Sequence, residues 1–446
     1  MPLNGIDDRA RVTACAGIGG GAARTVRTRQ PAPAPMLRRW LLHVGHGPPG
    51  RIGAAAAGLV AGLAAAAPVV LAAGLTAAAA MIAAGAAAAA EPLPRASLAG
   101  GVTVSGLSSG GFFAHQFHVA FSGVVEGAAI LAGGPYACAE DIPAGLWANP
   151  APEVATAIAV CTHIGRDMFG GFSFILPSGP DADASLEAIE AAFRDGAIDD
   201  PANLADDRVW LFAGGRDEVV PERTMAAVAE VYRALGVAGD ALASEAIGGA
   251  GHGFPVAAVG DSDFGSPGCD AHGPPYLIDC DFDAAGALLR HLYGNLDDPV
   301  PPVRAHLLDF DQTPFFDAAD ASVSLAEAGF VYVPAACAAA DDGGGAGGAG
   351  NGCRLHVALH GCRQNADAVG DDFVWDAGYN GWAEANAIVV LYPQTAAWTR
   401  ASDPSGLLGN PRGCWDWWGY SGDAYATRDG VQMRAVRAMI DALRGP

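Results

Sequence analysis

The sequence predicts an α/β protein with a mainly parallel central sheet and helices on both of its faces. Three observations carry that reading. Short apolar runs alternate with stretches of helical period. One strand-to-helix junction is the glycine-flanked serine turn Gly106-Leu107-Ser108-Ser109-Gly110-Gly111, and a late strand runs into His360-Gly361-Cys362. With 446 residues, 51% of them hydrophobic and 16% charged, a disordered or fibrous chain is excluded.

The strand-like runs are Val102 to Ser105, Ala128 to Ala132, Val209 to Ala213, Ser244 to Ile247, Phe330 to Val333, Leu355 to Leu359 and Ile388 to Tyr392. Between them, Glu222 to Leu235 follows Pro221, sets Met225, Val228, Tyr232 and Leu235 on one face and stops at Gly236, while Asp429 to Leu443 repeats the pattern with Val436, Met439, Ile440 and Leu443. The stiff connection Asp297-Asp298-Pro299-Val300-Pro301-Pro302 is a possible boundary, but each half has too few strands for its own sheet. Residues 91–446 are therefore expected to form one domain behind a leader of residues 1–90.

That leader has the parts of an export signal. From Ile52 to Ala90, 39 residues carry no ionisable side chain; Arg38, Arg39 and Arg51 precede them, and Ala88-Ala89-Ala90 ends the run before Glu91-Pro92-Leu93-Pro94. The stretch is also long enough for a transmembrane anchor, the one alternative that would bring a membrane into play. Its weak, alanine-rich hydrophobicity and Pro68 favour cleavage. Residues 1–35 show no helical or strand period, and either form a disordered tail or lie upstream of a start at Met36; Arg38-Arg39 hints at a twin-arginine route.

All 25 basic residues are arginine, against 48 carboxylates, for a net charge of −23. Eight of those arginines fall in the first 51 residues, so the body is more acidic still and nucleic acid is not an expected partner. Cysteine usage agrees with export. Beyond Cys15, sequence proximity pairs Cys138 with Cys161, Cys269 with Cys280 and Cys337 with Cys353 around the glycine-rich loop Asp341 to Gly352, leaving Cys362 with Cys414. Buried free thiols are the alternative. No Cys-x-x-Cys spacing suggests a metal site.

The serine turn has the context of a nucleophile elbow. Small neighbours let the chain reverse sharply after a strand and lift the hydroxyl over the N-terminus of the next helix. A serine needs a base and a group that orients it. Asp217 follows the run Val209 to Ala213, His252 lies in Gly249-Ala250-Gly251-His252-Gly253, and the order Ser108, Asp217, His252 is the one this architecture requires. His118 and His163, which read as helix-face or loop residues, and Asp195 and Asp199, which follow no strand, compete less well. For an oxyanion, the Ser109 amide is one expected donor. The other normally comes from a loop upstream of the nucleophile, which is missing there and appears instead as His360-Gly361-Cys362. Circular permutation explains this, with the Cys362 amide as second donor.

These segments, with Ala132-Gly133-Gly134-Pro135-Tyr136, Phe310-Asp311-Gln312, Tyr392-Pro393-Gln394 and Asn410 to Tyr420, resemble the polyhydroxybutyrate depolymerases of the circularly permuted α/β-hydrolase type. The resemblance implies Ser108, Asp217 and His252 as the triad, oxyanion amides from Ser109 and Cys362, and secreted or periplasmic hydrolysis of short-side-chain polyesters without metal or organic cofactor. Extracellular members often append a polymer-binding domain, whereas this sequence stops after its last helix, which favours amorphous polymer or soluble oligomers as substrate. Six of the nine tryptophans fall between Trp375 and Trp418. Trp415, Trp417 and Trp418 are expected to line the cleft for a neutral polyester, and Trp375 and Trp382 to be core. A feruloyl or acetylxylan esterase is the nearest rival within hydrolases; a non-catalytic protein adhering to hydrophobic polyester is the rival from another class.

Overall fold

The computed structural model describes residues 90–140, 160–162, 179–257, 267–338, 352–399 and 409–445. The leader as far as residue 89, most of the glycine-rich loop and His163 lie outside them.

Eight strands form one sheet: β1 (Leu98–Leu107), β2 (Val125–Leu131), β3 (Arg208–Gly214), β4 (Leu242–Ile247), β7 (Leu307–Asp311), β8 (Ala328–Tyr332), β9 (Cys353–Leu359) and β10 (Ile388–Tyr392). A small separate ladder joins β5 (Phe254–Val256) to β6 (Leu277–Asp279). The large sheet runs β4-β3-β2-β1-β9-β10-β8-β7, parallel throughout except that β8 is antiparallel to both of its neighbours. Each of the seven strand-like runs of the sequence lies in this sheet. The three unforeseen strands are the edge strand β7 and the two short members of the small ladder.

The side-chain period of two explains why these runs are strands. Val209 and Leu211 of β3 face one core, and Trp210 and Phe212 face the other; Ala128 and Ile130 of β2 alternate in the same way with Ala129 and Leu131. Helices cover both faces. On the first lie α1 (Ser109–Ala120), α2 (Ala182–Arg194), α3 (Glu222–Ala234) and, at the end of the chain, Val431–Arg444; on the second lie α4 (Ala284–Tyr293) and α5 (Tyr379–Asn386). The C-terminal helix, α6, buries Val436, Met439, Ile440 and Leu443, the stripe read from the sequence. Gly236 stands just beyond α3 with φ +100°, a conformation in which a residue with a Cβ would be strained.

The topology has the form expected of a permuted chain. β1 pairs in parallel with β2 on one side and with the late strand β9 on the other. The first and last parts of the domain also meet: the Ala96 amide donates to the Leu443 carbonyl at 3.0 Å, and the Arg444 guanidinium donates to the Gly100 carbonyl at 2.8 Å. Were the chain to begin at β7 and continue through this junction, its strands would lie across the sheet in the order 1-2-4-3-5-6-7-8.

Four disulfides join Cys138 to Cys161, Cys269 to Cys280, Cys337 to Cys353 and Cys362 to Cys414. This is the pairing sequence proximity suggests. Among the described residues no helix is long and apolar enough to cross a membrane.

Candidate active site

Parallel strands deliver their following loops to one edge of a sheet, where open α/β folds place their ligands. Gly106 of β1 stands opposite Leu359 of β9, so the serine turn and the His360-Gly361-Cys362 turn leave that edge side by side. Gly214 of β3 stands opposite Ile247 of β4, which brings the Asp217 and His252 loops together in the same way.

The serine turn is sharp. Ser108 has φ 56° and ψ −121°, outside the ordinary regions for a residue with a side chain, and it heads α1. Its flanking glycines are needed for space. A Cβ on Gly106 would lie 2.1 Å from the Gly110 carbonyl oxygen, and one on Gly110 would lie 2.4 Å from that of Leu359. Strand, turn and neighbouring strand therefore pack backbone against backbone.

Ser108 Oγ donates to His252 Nε2 at 3.0 Å, and His252 Nδ1 donates to Asp217 Oδ2 at 2.8 Å. An ionised carboxylate only accepts, which assigns the ring proton to Nδ1 and leaves Nε2 free to take the serine proton. The other oxygen, Asp217 Oδ1, accepts the Val219 and Val220 amides at 2.7 and 2.8 Å, which fixes the carboxylate plane. All three side chains are buried. Backbone contacts hold the loops in register: the Arg216 amide donates to the Ala250 carbonyl at 2.9 Å, and the Gly251 amide to that of Cys269 at 2.8 Å. The segment stapled by Cys269 and Cys280 thus backs the imidazole, and His272 Nδ1 accepts the His252 amide at 3.2 Å.

Of the two expected oxyanion donors, Ser109 follows Ser108 directly and Cys362 belongs to the turn that packs against it. Gly361 packs against it: a Cβ there would be 3.4 Å from Ser108 Cβ. Gln364 Oε1 accepts the Gly361 amide at 2.8 Å while its Nε2 donates to the Pro275 carbonyl at 2.9 Å, so one side chain braces the turn against the loop beside His252. The disulfide Cys362–Cys414 ties the turn to the tryptophan segment, where the Trp415 amide donates to Ser109 Oγ at 3.3 Å.

That segment corrects one expectation. Trp415 does not line the cleft: it is fully buried, with its ring 4.8 Å from Phe113 and 5.7 Å from His360. Its backbone is held beneath the turn by the disulfide and the Ser109 contact, which leaves the ring to the core. Trp417, also expected in the cleft, is buried as well because it stacks on Phe112 at 4.0 Å, whereas Trp418, perpendicular to it at 5.4 Å, is partly exposed. Asp416, between them, is fully buried. Its carboxylate accepts the amides of Trp418, Gly419, Tyr420 and Ser421 and the Ser421 hydroxyl, and so shapes the loop that carries Trp418. Burial pushes its carboxyl up, against the pull of these donors. Trp382 is core as expected, donating to Asp283 at 2.9 Å, whereas Trp375, expected in the core too, is only half-buried and is covered by the Arg304 guanidinium.

The competing candidates are engaged elsewhere. His118 is buried against Asp207 at 2.9 Å and the Tyr232 hydroxyl at 2.9 Å; Asp195 ends α2, and Asp199 pairs with Arg428. Three other histidines are enclosed and neutral. Burial pushes His115 and His356 down to about 3 and His360 down to about 4. His360 Nε2 accepts the Thr395 amide at 3.2 Å, so its Nδ1 donates to the Gly361 carbonyl at 2.8 Å. Because these folded values lie below the unfolded value near 6.5, the unfolded chain takes up protons first as the solution is acidified. Stability is then complete above about pH 6.5 and falls toward pH 4, with each group contributing about 1.4 kcal/mol per pH unit. Urea unfolding at about pH 7.5 and pH 5 should differ by several kcal/mol; equal stability at both would refute the buried neutral assignment.

The sequence is similar to those of proteins of known kind. The chain is 36% identical over 342 residues to a poly(3-hydroxybutyrate) depolymerase of Delftia acidovorans, covering 76% of this chain and 58% of that protein. It is 31% identical over 349 residues to a polyhydroxybutyrate depolymerase of Talaromyces funiculosus, covering 75% of this chain and 87% of that one. The chain belongs to the polyhydroxybutyrate depolymerase family. No family model matches it. The crystal structure of the depolymerase from Penicillium funiculosum superposes with a TM-score of 0.63 at 28% identity, covering 79% of this chain and 98% of that one. A serine-to-alanine variant of a PHB depolymerase, complexed with an R3HB trimer, matches with the same TM-score of 0.63. The mainly parallel sheet is thus that of a depolymerase of the α/β-hydrolase kind, while the chain spans less than two thirds of the Delftia relative.

Proposed function

We propose that this chain is a serine carboxyl-ester hydrolase that cleaves poly(3-hydroxybutyrate) or its oligomers. The observation that carries the reading is the continuous hydrogen-bond chain from Ser108 Oγ through both nitrogens of His252 to Asp217, within the polyhydroxybutyrate depolymerase family. His252 takes the Ser108 proton as Oγ adds to the ester carbonyl carbon, and the amides of Ser109 and Cys362 receive the negative oxygen. The carbonyl then re-forms, the C–O bond to the alcohol fragment breaks, and His252 returns the proton to that oxygen. Water, deprotonated by the same imidazole, attacks the acyl carbon; the bond from that carbon to Ser108 Oγ then breaks, His252 returns the proton to Oγ, and a 3-hydroxy acid is released.

Trp418 offers an apolar, partly exposed ring for the methyl-bearing polyester, with Trp417 and Phe112 stacked behind it. Secretion is the matching location: four disulfides persist in an oxidising compartment, and residues 1–90 have the composition of an export leader ahead of a catalytic domain at 91–446. The test is incubation of the purified protein with amorphous polymer, crystalline polymer and 3-hydroxybutyrate oligomers, beside feruloylated and acetylated xylan. Release of hydroxybutyrate or its short oligomers is expected. Release of ferulate or acetate alone would move the substrate to plant polysaccharide esters.

A further inference from the structure

Beside the oxyanion turn lie two arginines that the catalytic cycle does not use. Arg363 follows Cys362, and Arg412 stands two residues before Cys414, so the disulfide between those cysteines brings the two short segments together. The Arg363 amide donates to the Arg412 carbonyl at 2.7 Å. Both residues are exposed, and among the described residues neither guanidinium forms an ion pair. Protein packed around its stem, and then the charge of Arg363, hold the Arg412 guanidinium below its ordinary value, with the Tyr276 phenol acting in the opposite sense. Tyr276 in turn stands edge-on to the His252 ring at 6.3 Å. Two positive charges that repel one another therefore share the rim of the site, in a chain whose net charge is −23.

We infer that Arg363 and Arg412 form a carboxylate subsite that receives the free terminal carboxylate of a hydroxyalkanoate oligomer. The inference rests on the ester-hydrolase reading and adds to it the end of the substrate that is held. Guanidinium groups pair with carboxylates through charge-assisted, often bidentate hydrogen bonds, and an anion placed between two mutually repelling cations relieves the repulsion. In a linear hydroxyalkanoate the free carboxylate lies on the alcohol side of every ester bond. The arginines thus hold the fragment that leaves, and the acyl-serine keeps the hydroxyl end. A neutral interior segment of a long polymer gains nothing from them, so they favour soluble acidic oligomers.

The test compares the 3-hydroxybutyrate trimer as free acid with the same trimer as its methyl ester. The native sequence is expected to show a kcat/KM about 10- to 100-fold higher for the acid, carried mainly by KM. That ratio should shrink as sodium chloride is raised. In the Arg363→Gln/Arg412→Gln protein the ratio should fall to about one. A native ratio of one, or a preference insensitive to salt, overturns the subsite even if the double variant fails to fold; so does a ratio that the double variant retains. The uncharged p-nitrophenyl butyrate separates the two levels of the argument: if the native protein cleaves it but shows no preference for the acid, only the subsite is lost. Failure to cleave any of these esters would instead remove the hydrolase reading on which it stands.

Discussion

Replacement of Ser108 by alanine is expected to lower kcat for ester hydrolysis on the order of 10⁶-fold, the loss seen when a nucleophile of this type is removed. The fold should survive. Alanine keeps the Cβ and adds no atom at φ 56°, and the glycine contacts that let β1 turn into α1 do not involve the hydroxyl. What disappears is the atom that bonds to carbon and its 3.0 Å hydrogen bond to His252. Turnover of p-nitrophenyl butyrate, the thermal midpoint and labelling by a serine-reactive organophosphonate would be measured together. A stable, unlabelled and inactive variant is expected. Residual hydrolysis within about tenfold of the native protein would place the nucleophile elsewhere.

Much of this site can be read from residue order because parallel strands convert order into position. A serine after β1, an aspartate after β3 and a histidine after β4 must emerge at one edge of the sheet, and a late strand ending in His-Gly can join them only by lying beside β1. The disulfide pairing was legible for a similar reason: close spacing in sequence limits the available partners. Tertiary choices were less so. Edge strand β7 offers Leu307-Leu308-Asp309-Phe310-Asp311 with only Phe310 buried, so its pattern resembles a loop. The strands β5 and β6 have three residues each, too few for a period to show.

The tryptophan cluster marks the boundary of what aromatic composition can tell. Adjacency in sequence placed Trp415, Trp417 and Trp418 near the oxyanion turn, but the direction of each ring depends on packing across the chain. Trp415 goes to the core because its neighbours Cys414 and Ser109 fix its backbone, and only Trp418 keeps part of its ring in solvent. Asp416 carries a readable signal in retrospect: an aspartate followed by Trp-Trp-Gly-Tyr-Ser can turn its carboxylate onto the succeeding amides. Gln364 and His272 carry none, since each acts through contacts made to distant segments.

Exchange of Asp217 for asparagine should also be severely damaging, though about a hundredfold less than loss of the nucleophile, and it alters neither size nor shape. The two oxygens of Asp217 have different duties: Oδ1 accepts the Val219 and Val220 amides, and Oδ2 accepts His252 Nδ1–H. Asparagine has only one oxygen. If that oxygen serves the two backbone donors, the amide NH₂ must face His252 Nδ1, which can then only accept. The ring proton moves to Nε2, where it points at Ser108 and can no longer receive the serine proton. The reversed amide would strand two buried N–H groups against NH₂ at about 1–3 kcal/mol each, so the wrong tautomer is the cheaper outcome. A drop in kcat of about 10⁴-fold is expected with little change in the thermal midpoint. In nitrogen NMR of the resting protein, the protonated imidazole nitrogen should switch from Nδ1 to Nε2. Retention of the Nδ1 proton with near-native kcat would mean that Asp217 does not orient the base, and the assignment of the triad would have to be abandoned.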